Sequence, residues 1–201
     1  GRCVTPQTVP DALADALRGD AAAPFVTWVG PDAARTELSL RTFENNVAKA
    51  ANLLRDDADL GPGGVVALHL PLHWQAAVWV GACALVGAPA AVGLDPEQAD
   101  VAVLGPDSLD LPQAPLTLAS SLHPFGMPFT APLPAGVLDA ATEVRMHGDR
   151  FTPYGDVVPT TQWLTVDDTS WTQSAALEAA VALADGLGLA TGGRLLVAAT
   201  D

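Results

Sequence analysis

Positively charged residues are scarce in this chain of 201 residues. Nine Lys and Arg residues stand against 23 Asp and Glu residues, which gives a net charge of −14, and Lys49 is the only lysine. Nucleic acids and anionic membrane surfaces bind clustered Lys and Arg. The composition therefore argues against both as partners. It still permits a small nucleotide, because such a ligand needs only a local pocket.

Cysteine is scarce as well. Cys3 and Cys83 form no disulfide framework, and Cys83 lies in an apolar stretch where a buried small side chain is expected. A chain of this length buries about 70% of its unfolded surface and needs neither disulfides nor a metal to fold. No charged and then apolar leader opens the sequence, so we expect a cytoplasmic protein.

The stretch from Leu60 to Asp95 predicts the fold class. Val65 to Leu70 is an apolar run of strand length, Trp74 to Val86 is apolar on nearly every side, and Ala90 to Val92 returns to a strand. A strand–helix–strand unit of this size is a crossover between parallel strands. We therefore predict an α/β fold with mainly parallel sheet flanked by helices.

Periodicity and turn residues predict the remaining elements. An N-terminal helix starts after Thr8, and a long helix starts at Ser39 or Thr42 and reaches about Arg55. A proline-rich connector covers residues 106–134. The expected strands are Pro24–Val29 and Arg35–Leu40 (a hairpin), 99–104, 116–119, 163–166 and 194–199; further helices are expected within 134–146, with Val137, Leu138, Ala141 and Val144 facing inward, and over 172–187.

One stretch has the length of a membrane span. Leu72 to Val92 approaches the ~20 residues that a bilayer requires. It contains His73, Gln75 and Pro89, however, and lacks flanking basic residues. The sequence favours a buried crossover helix, and we expect no membrane association.

We expect a single α/β domain over residues 1–201 with an internal repeat. Residues 39–70 align without gaps on residues 168–199, and both copies predict a helix, a Gly-Gly turn and a strand. Identical pairs include Leu54/Leu183, Asp56/Asp185 and Gly64/Gly193. Alanine richness contributes to these identities.

The central stretch also resembles a known family. Gly61, Gly64, Val65, Val66, Leu70, Pro71, Gly87, Ala88, Asp95 and Pro96 match the motifs "G-x-x-G-D-x-V-a-l-x-l-P" and "G-A-x-x-v-p-l-D-P". These motifs belong to the N-terminal domain of the AMP-binding, adenylate-forming enzymes, which include the acyl-CoA synthetases. Residues 73–75, 77–79 and 148–154 are similar to an uncharacterised actinobacterial family that itself weakly resembles those enzymes. The resemblance covers most of residues 8–201.

The resemblance implies ATP, AMP and CoA as candidate ligands, but the catalytic parts of the family are not found. The family holds ATP phosphates in a loop rich in Ser, Thr and Gly that ends in Pro-Lys-Gly, and this loop should precede the helix at Thr172. Residues 152–171 have one glycine, no lysine and three aspartates. We also expect the C-terminal lid domain, with its catalytic lysine, to be missing. We therefore assign no catalytic residue and expect no ligase activity from the chain alone.

Four residues are candidates for ligand binding. His73 and Trp74 stand at the start of the apolar helix, where backbone amides favour an anion, although Trp74 could equally serve packing. Arg150 and Tyr154, the only tyrosine, lie in one loop. Arg150 could bind a phosphate or carboxylate, or could tie the loop to an acidic neighbour. If it binds an anion, Arg150→Ala should abolish that binding and leave the melting temperature nearly unchanged.

We predict no metal site. His69 and His73 are four residues apart, but Pro71 lies between them, so they cannot share one helical face. Asp167 and Asp168 could bind a metal, and an acidic turn is the simpler interpretation.

Three functional hypotheses follow. The first is a degenerate, non-catalytic relative of the acyl-CoA synthetases that binds a small ligand, such as a nucleotide or acyl compound, or a protein partner. The alternative is a ligase fragment or subunit whose partner supplies the phosphate loop and the lysines. The third is a purely structural role.

Overall fold

The computed structural model describes residues 5–198. The first half of the chain contains α1 (Val9–Leu17), β1 (Pro24–Val29), β2 (Arg35–Ser39), α2 (Leu40–Ala58), β3 (Val66–His69), α3 (Trp74–Val86) and β4 (Ala90–Val92). The second half contains β5 (Val101–Leu104), β6 (Leu116–Ala119), β7 (Val137–Asp139), α4 (Ala140–Val144), β8 (Gln162–Val166), β9 (Thr169–Thr172) and α5 (Gln173–Gly186). Two single turns of 3₁₀-helix, Pro96–Gln98 and Pro106–Ser108, lie between strands.

Seven strands form one sheet in the order β7-β6-β5-β3-β4-β8-β9. Every pair is parallel except β8–β9, while β1 and β2 form a separate antiparallel hairpin. The predicted α/β class with mainly parallel sheet is confirmed.

The central crossover forms as the sequence predicts. Val66 pairs with Ala90 in β4 and with Val101 in β5, so β3 lies in the middle of the sheet. His73 caps the first turn of α3, and Gly87 ends the helix with a φ of 83°. Of the 13 residues of α3, nine are buried and the other four are half-buried. Within residues 5–198, no helix has the length and apolarity that crossing a bilayer requires.

Gly87 is a position where the backbone conformation favours glycine. Its φ lies in the left-handed region, and a Cβ there would stand 3.3 Å from side-chain atoms of Pro62 and Val157. We expect Gly87→Ala to lower the free energy of unfolding by about 1–2 kcal/mol, since an L-residue pays this cost in the left-handed region. Urea unfolding would measure the change. Gly61→Ala is the control, because a Cβ at Gly61 meets nothing within 4 Å; equal losses in both variants would contradict this expectation.

The larger core lies between the sheet and the pair α2 and α3. Ser39, rather than Thr42, is the N-cap of α2, and its Oγ accepts a hydrogen bond from the Thr42 amide at 3.1 Å. The helix continues to Ala58, beyond the predicted end at Arg55. Five apolar residues that recur at helical spacing along α2 are all buried: Phe43, Val47, Ala50, Ala51 and Leu54. Gly81 of α3 lets Val47 approach closely, so the two helices lie in direct contact.

Alternate side chains of the strands point to the opposite side of the sheet. Val66 and Val101 belong to the larger core, whereas Ala67 and Ala102 belong to a smaller one with Leu104. Leu94, Leu109 and Leu111 pack against this smaller core. Loops around the 3₁₀ turns therefore cover the second side.

A buried glutamine joins three helices. Gln173, at the start of α5, is fully buried; its Oε1 accepts a hydrogen bond from the Val9 amide at 2.9 Å. Its Nε2 donates to the Ala84 carbonyl of α3 at 3.1 Å. The N-terminal ends of α1 and α5 are thereby fixed to the central helix.

Two predictions for the second half of the sheet are wrong. Residues 137–139, expected to be helical, form the edge strand β7, because Val137 pairs with Thr117 of β6. Only Ala140–Val144 is helical, and Leu138, expected to face inward, is 41% exposed. The strand β9 had no predicted bounds; it returns antiparallel to β8 around Asp167 and Asp168, which form the acidic turn that the sequence favoured.

The strand predicted for residues 194–199 is not formed over residues 194–198, and Ala199 lies outside the described residues. Apolar residues alone do not make a strand, because a strand requires a hydrogen-bonded neighbour. In the described part of the chain, the sheet ends at β9. The predicted internal repeat stays a prediction, with its helix observed in both copies and its strand in the first.

Candidate functional site

A cleft of about 500 Å³ opens at one edge of the sheet. Its walls come from β2, α2, the start of α3, the loop after β6, and α4. Ser120 directly follows β6 and Ala140 directly follows β7, so the cleft lies at the carboxyl ends of two parallel strands. Open α/β sheets bind ligands at this edge. The side chains lining the cleft include Arg35, Glu37, Asn46, Lys49, Ala50, Trp74, Gln75, Val78, Trp79, Phe125, Val144 and Arg145.

The cleft collects positive charge in a strongly acidic protein. Lys49, Arg35 and Arg145 line it, and among the lining residues that the structure describes Glu37 is the one carboxylate. Arg35 forms an ion pair with Glu37, with 2.5 Å between Arg35 Nη2 and Glu37 Oε2. The pKa of Glu37 is lowered most by the hydrogen bond from Thr27 and next by the hydrogen bond from Arg35. This carboxylate is therefore ionised and offsets one of the three cations.

Lys49 is the cation best placed for a ligand. It lies on α2 and is half-buried. Among residues 5–198, no carboxylate forms an ion pair with it. Arg145 donates only a long hydrogen bond of 3.5 Å to the Gly126 carbonyl. The cleft therefore presents two positive charges that the surrounding side chains leave unpaired.

The rest of the cleft is apolar or held by hydrogen bonds. Ala50, Val78 and Trp79 are buried and form its floor. The loop after β6 is fixed to α3, since Trp74 Nε1 donates to the Pro124 carbonyl at 3.0 Å and Gln75 Nε2 donates to the His123 carbonyl at 3.0 Å. The arrangement suits an anion that carries an apolar or aromatic group.

Of the two candidates at the start of α3, Trp74 lines the cleft and His73 does not. His73 is the N-cap of α3, where its Nδ1 accepts a hydrogen bond from the Gln75 amide at 3.0 Å. Its ring lies 4.3 Å from the Trp28 ring, and burial lowers its pKa to about 4. At neutral pH, His73 is therefore uncharged and already occupies one of the amides that an anion would use.

The other two candidates, Arg150 and Tyr154, lie on a different part of the molecule. Their loop lies against the C-terminal half of α2. There, Asn52 Nδ2 donates hydrogen bonds to the Gly148 and Arg150 carbonyls at 2.8 Å each. Arg150 is exposed and has no ion-pair partner within residues 5–198. The structure thus brings Trp74 into the cleft and leaves Arg150 and Tyr154 outside it.

Arg55, rather than Arg150, connects this loop to the body of the protein. It donates a hydrogen bond to the Thr152 carbonyl, and its guanidinium lies 5.0 Å from the centre of the Tyr154 ring. The Tyr154 hydroxyl is 3.4 Å from Asp56 Oδ1. Asn52 and Arg55 were not found by sequence reasoning, because a polar residue on a helix gives no sign of what it contacts 100 residues later.

The other polar groups examined for metal binding have structural roles. His69 Nε2 lies 2.6 Å from the Leu94 carbonyl. Asp167, with a φ of 50°, and Asp168 form the two-residue turn between Val166 and Thr169, which pair with each other. In the described part of the chain, no group of three or more His, Cys, Asp or Glu side chains could hold a metal ion.

The segment 152–171, where the phosphate loop of the resembled family would fall, ends in a tight hairpin. Backbone groups of β8 pair with β4 on one side and with β9 on the other. Its turn carries two carboxylates, which repel a polyphosphate.

Comparison with known proteins connects this fold to a sequence family. No profile of a known protein family matches the chain. The sequence is 41% identical over 165 residues to a "TIGR03089 family protein" of Mycobacterium tuberculosis, covering 74% of this chain and 64% of that protein. It is 39% identical over 84 residues to an acetyl-coenzyme A synthetase of Sodalis glossinidius, covering 40% of this chain and 12% of the synthetase. The chain thus spans less than two thirds of either relative.

Solved structures show the same fold at low sequence identity. The anthranilate CoA ligase AuaEII, solved in complex with anthranoyl-AMP, superposes with a TM-score of 0.58 at 16% identity, over 80% of this chain and 32% of the ligase. An acyl-CoA synthetase of Brucella canis superposes with a TM-score of 0.61 at 16% identity, over 82% and 32%. The resemblance predicted from the sequence is confirmed: this chain is similar to an actinobacterial protein family and shares its fold with part of the adenylate-forming CoA ligases.

Proposed function

We propose that this chain is a non-catalytic relative of the acyl-CoA synthetases that binds a small organic acid in its cleft. The observation that carries the proposal is the position of Lys49. The only lysine of an acidic chain lies half-buried in the cleft, beside apolar residues and two indole rings. A carboxylate at Lys49 would place its apolar group against Ala50, Val78 and Trp79.

The absence of catalysis is proposed on separate grounds. Adenylate formation requires donors for the ATP phosphates. The segment before α5 offers a paired hairpin and two aspartates instead. The alternative hypothesis, a ligase subunit that needs a partner, stays a prediction. Adenylate formation upon addition of a partner that carries the loop and lysines would support it.

Lys49→Gln is expected to weaken binding of the acid by about tenfold or more, because a hydrogen bond to a charged group contributes about 1.5–3 kcal/mol. Isothermal titration with anthranilate, acetate, AMP, Mg-ATP and CoA would measure the dissociation constants. Lysine and glutamine have similar helix propensities, so we expect the substitution to leave the fold unchanged.

Arg150→Ala is the second arm of the experiment. The cleft predicts unchanged binding in this variant, whereas the loop hypothesis from the sequence predicts its loss. Binding of AMP or CoA but neither acid would replace the proposed ligand class with a nucleotide. Loss in Arg150→Ala alone would place the site on the loop after α4.

A further inference from the structure

Helix α5 is packed against the protein far less than its composition suggests. It consists largely of alanine and leucine, yet Gln173 is its only buried residue. Val181 and Leu183 are both more than half exposed. Helices in proteins obtain most of their stability from packing an apolar face. An apolar helix left this open within the described residues offers a surface on which a further helix can pack.

One side of α5 forms a groove of about 340 Å³ with the segment 5–7. The residues from α5 are Ser174, Leu177, Glu178, Val181, Ala182 and Asp185. Their spacing follows the helical repeat, so they make one stripe along three turns of the helix. The stripe is apolar at its centre, and a carboxylate stands in each of its last two turns.

The charges of this groove determine what it accepts. Glu178 and Asp185 line it, and within residues 5–198 no Lys, Arg or His is among its lining residues. A second copy of this chain would bring another net charge of −14 and the same two carboxylates. Like charges set opposite each other disfavour association. A partner with basic residues is favoured instead.

We propose that this groove docks an amphipathic helical segment of a protein partner, with apolar side chains against Leu177 and Val181 and basic side chains facing Glu178 and Asp185. A helix laid in an apolar groove is a common mode of peptide recognition. The groove is separate from the cleft, so this proposal does not depend on the proposed ligand.

The probe is a synthetic peptide of about 14 residues made of leucine and lysine in an amphipathic helical pattern, compared with one in which glutamate replaces lysine. Fluorescence anisotropy on the whole chain would measure both affinities at low and moderate salt. We expect the lysine peptide to bind and the glutamate peptide not to bind. Val181→Glu should weaken the binding at least about tenfold, equivalent to about 1.4 kcal/mol.

Two matched controls separate the groove from general attraction to an acidic protein. Leu183→Glu adds the same charge to the same helix at a residue of similar exposure that does not line the groove. Asp149→Lys is the control for Glu178→Lys. It changes the net charge by the same amount at an exposed residue outside the groove. We expect Leu183→Glu and Asp149→Lys to change the affinity less than about twofold, a difference below 0.5 kcal/mol.

Several results would overturn the proposal. Equal effects of Val181→Glu and Leu183→Glu, or of Glu178→Lys and Asp149→Lys, would show non-specific attraction. Binding of neither peptide, or equal binding of both, would contradict a basic helical partner. A dimer in light scattering that Val181→Glu converts to a monomer would identify a second copy as the occupant.

Discussion

Leu53→Ala is expected to lower the free energy of unfolding by about 2–5 kcal/mol, the usual cost of removing a fully buried leucine. Leu53 has no exposed surface and belongs to the core that α2 and α3 form on the sheet. The substitution removes apolar contacts and leaves a cavity that close-packed neighbours fill only in part. Equilibrium urea unfolding at neutral pH would measure the loss.

Leu183→Ala is the matched control for this substitution. Leu183 also lies on a helix, α5, but is 57% exposed. Its replacement should change the free energy of unfolding by less than about 1 kcal/mol, as surface substitutions usually do. If Leu183→Ala were as costly as Leu53→Ala, α5 would be packed against something the described residues do not provide, and the arrangement of the core would need revision.

Acid is expected to destabilise this protein through His73 between about pH 6.5 and pH 4. Burial lowers the pKa of the His73 imidazole from 6.5 to about 4. In the unfolded chain the imidazole binds a proton near pH 6.5, whereas in the folded protein it resists protonation until about pH 4. Because the unfolded state binds more protons across this window, the stability is fully present above pH 6.5 and is lost as the pH falls.

The expected loss is at most about 3.5 kcal/mol, since each pH unit between the two pKa values corresponds to about 1.4 kcal/mol. His73→Asn is the appropriate comparison, because asparagine also caps a helix N-terminus and does not titrate. Urea unfolding of both proteins from pH 7.5 to pH 4.5 would show the wild-type protein losing stability relative to His73→Asn. Parallel pH profiles would mean that the buried imidazole is not the titrating group.

The same histidine shows how far sequence reasoning extended. Its place at the N-terminus of an apolar helix was predicted and is observed. Its ring contact with Trp28 could not be predicted, because nothing in the sequence relates β1 to the start of α3. This contact contributes to the burial that keeps His73 uncharged. Whether an anion binds at His73 and Trp74, or at Arg150 and Tyr154, stays a prediction.

The errors in the fold share a physical cause. Residues 137–139 and 194–198 are both short apolar runs, and the sequence predicted a helix for the first and a strand for the second. The first pairs with β6 and becomes β7, while the second finds no neighbouring strand within the described residues. A short run is too short for its periodicity to distinguish a helix from a strand. Whether it becomes a strand therefore depends on whether another strand lies beside it.

The sequence by itself determined the central crossover, the hairpin, the N-terminal ends of α1 and α3 and the resemblance to the CoA ligases. These depend on residues close together in the chain, where turn residues, periodicity and motif spacing act directly. Only the tertiary structure decided the cleft. It brings Lys49 of α2 to Trp74 of α3 and Arg145 after α4, residues that are far apart in sequence. Their meeting depends on the order in which strands pair and on which face of the sheet each helix covers, and both are set by packing of the whole chain.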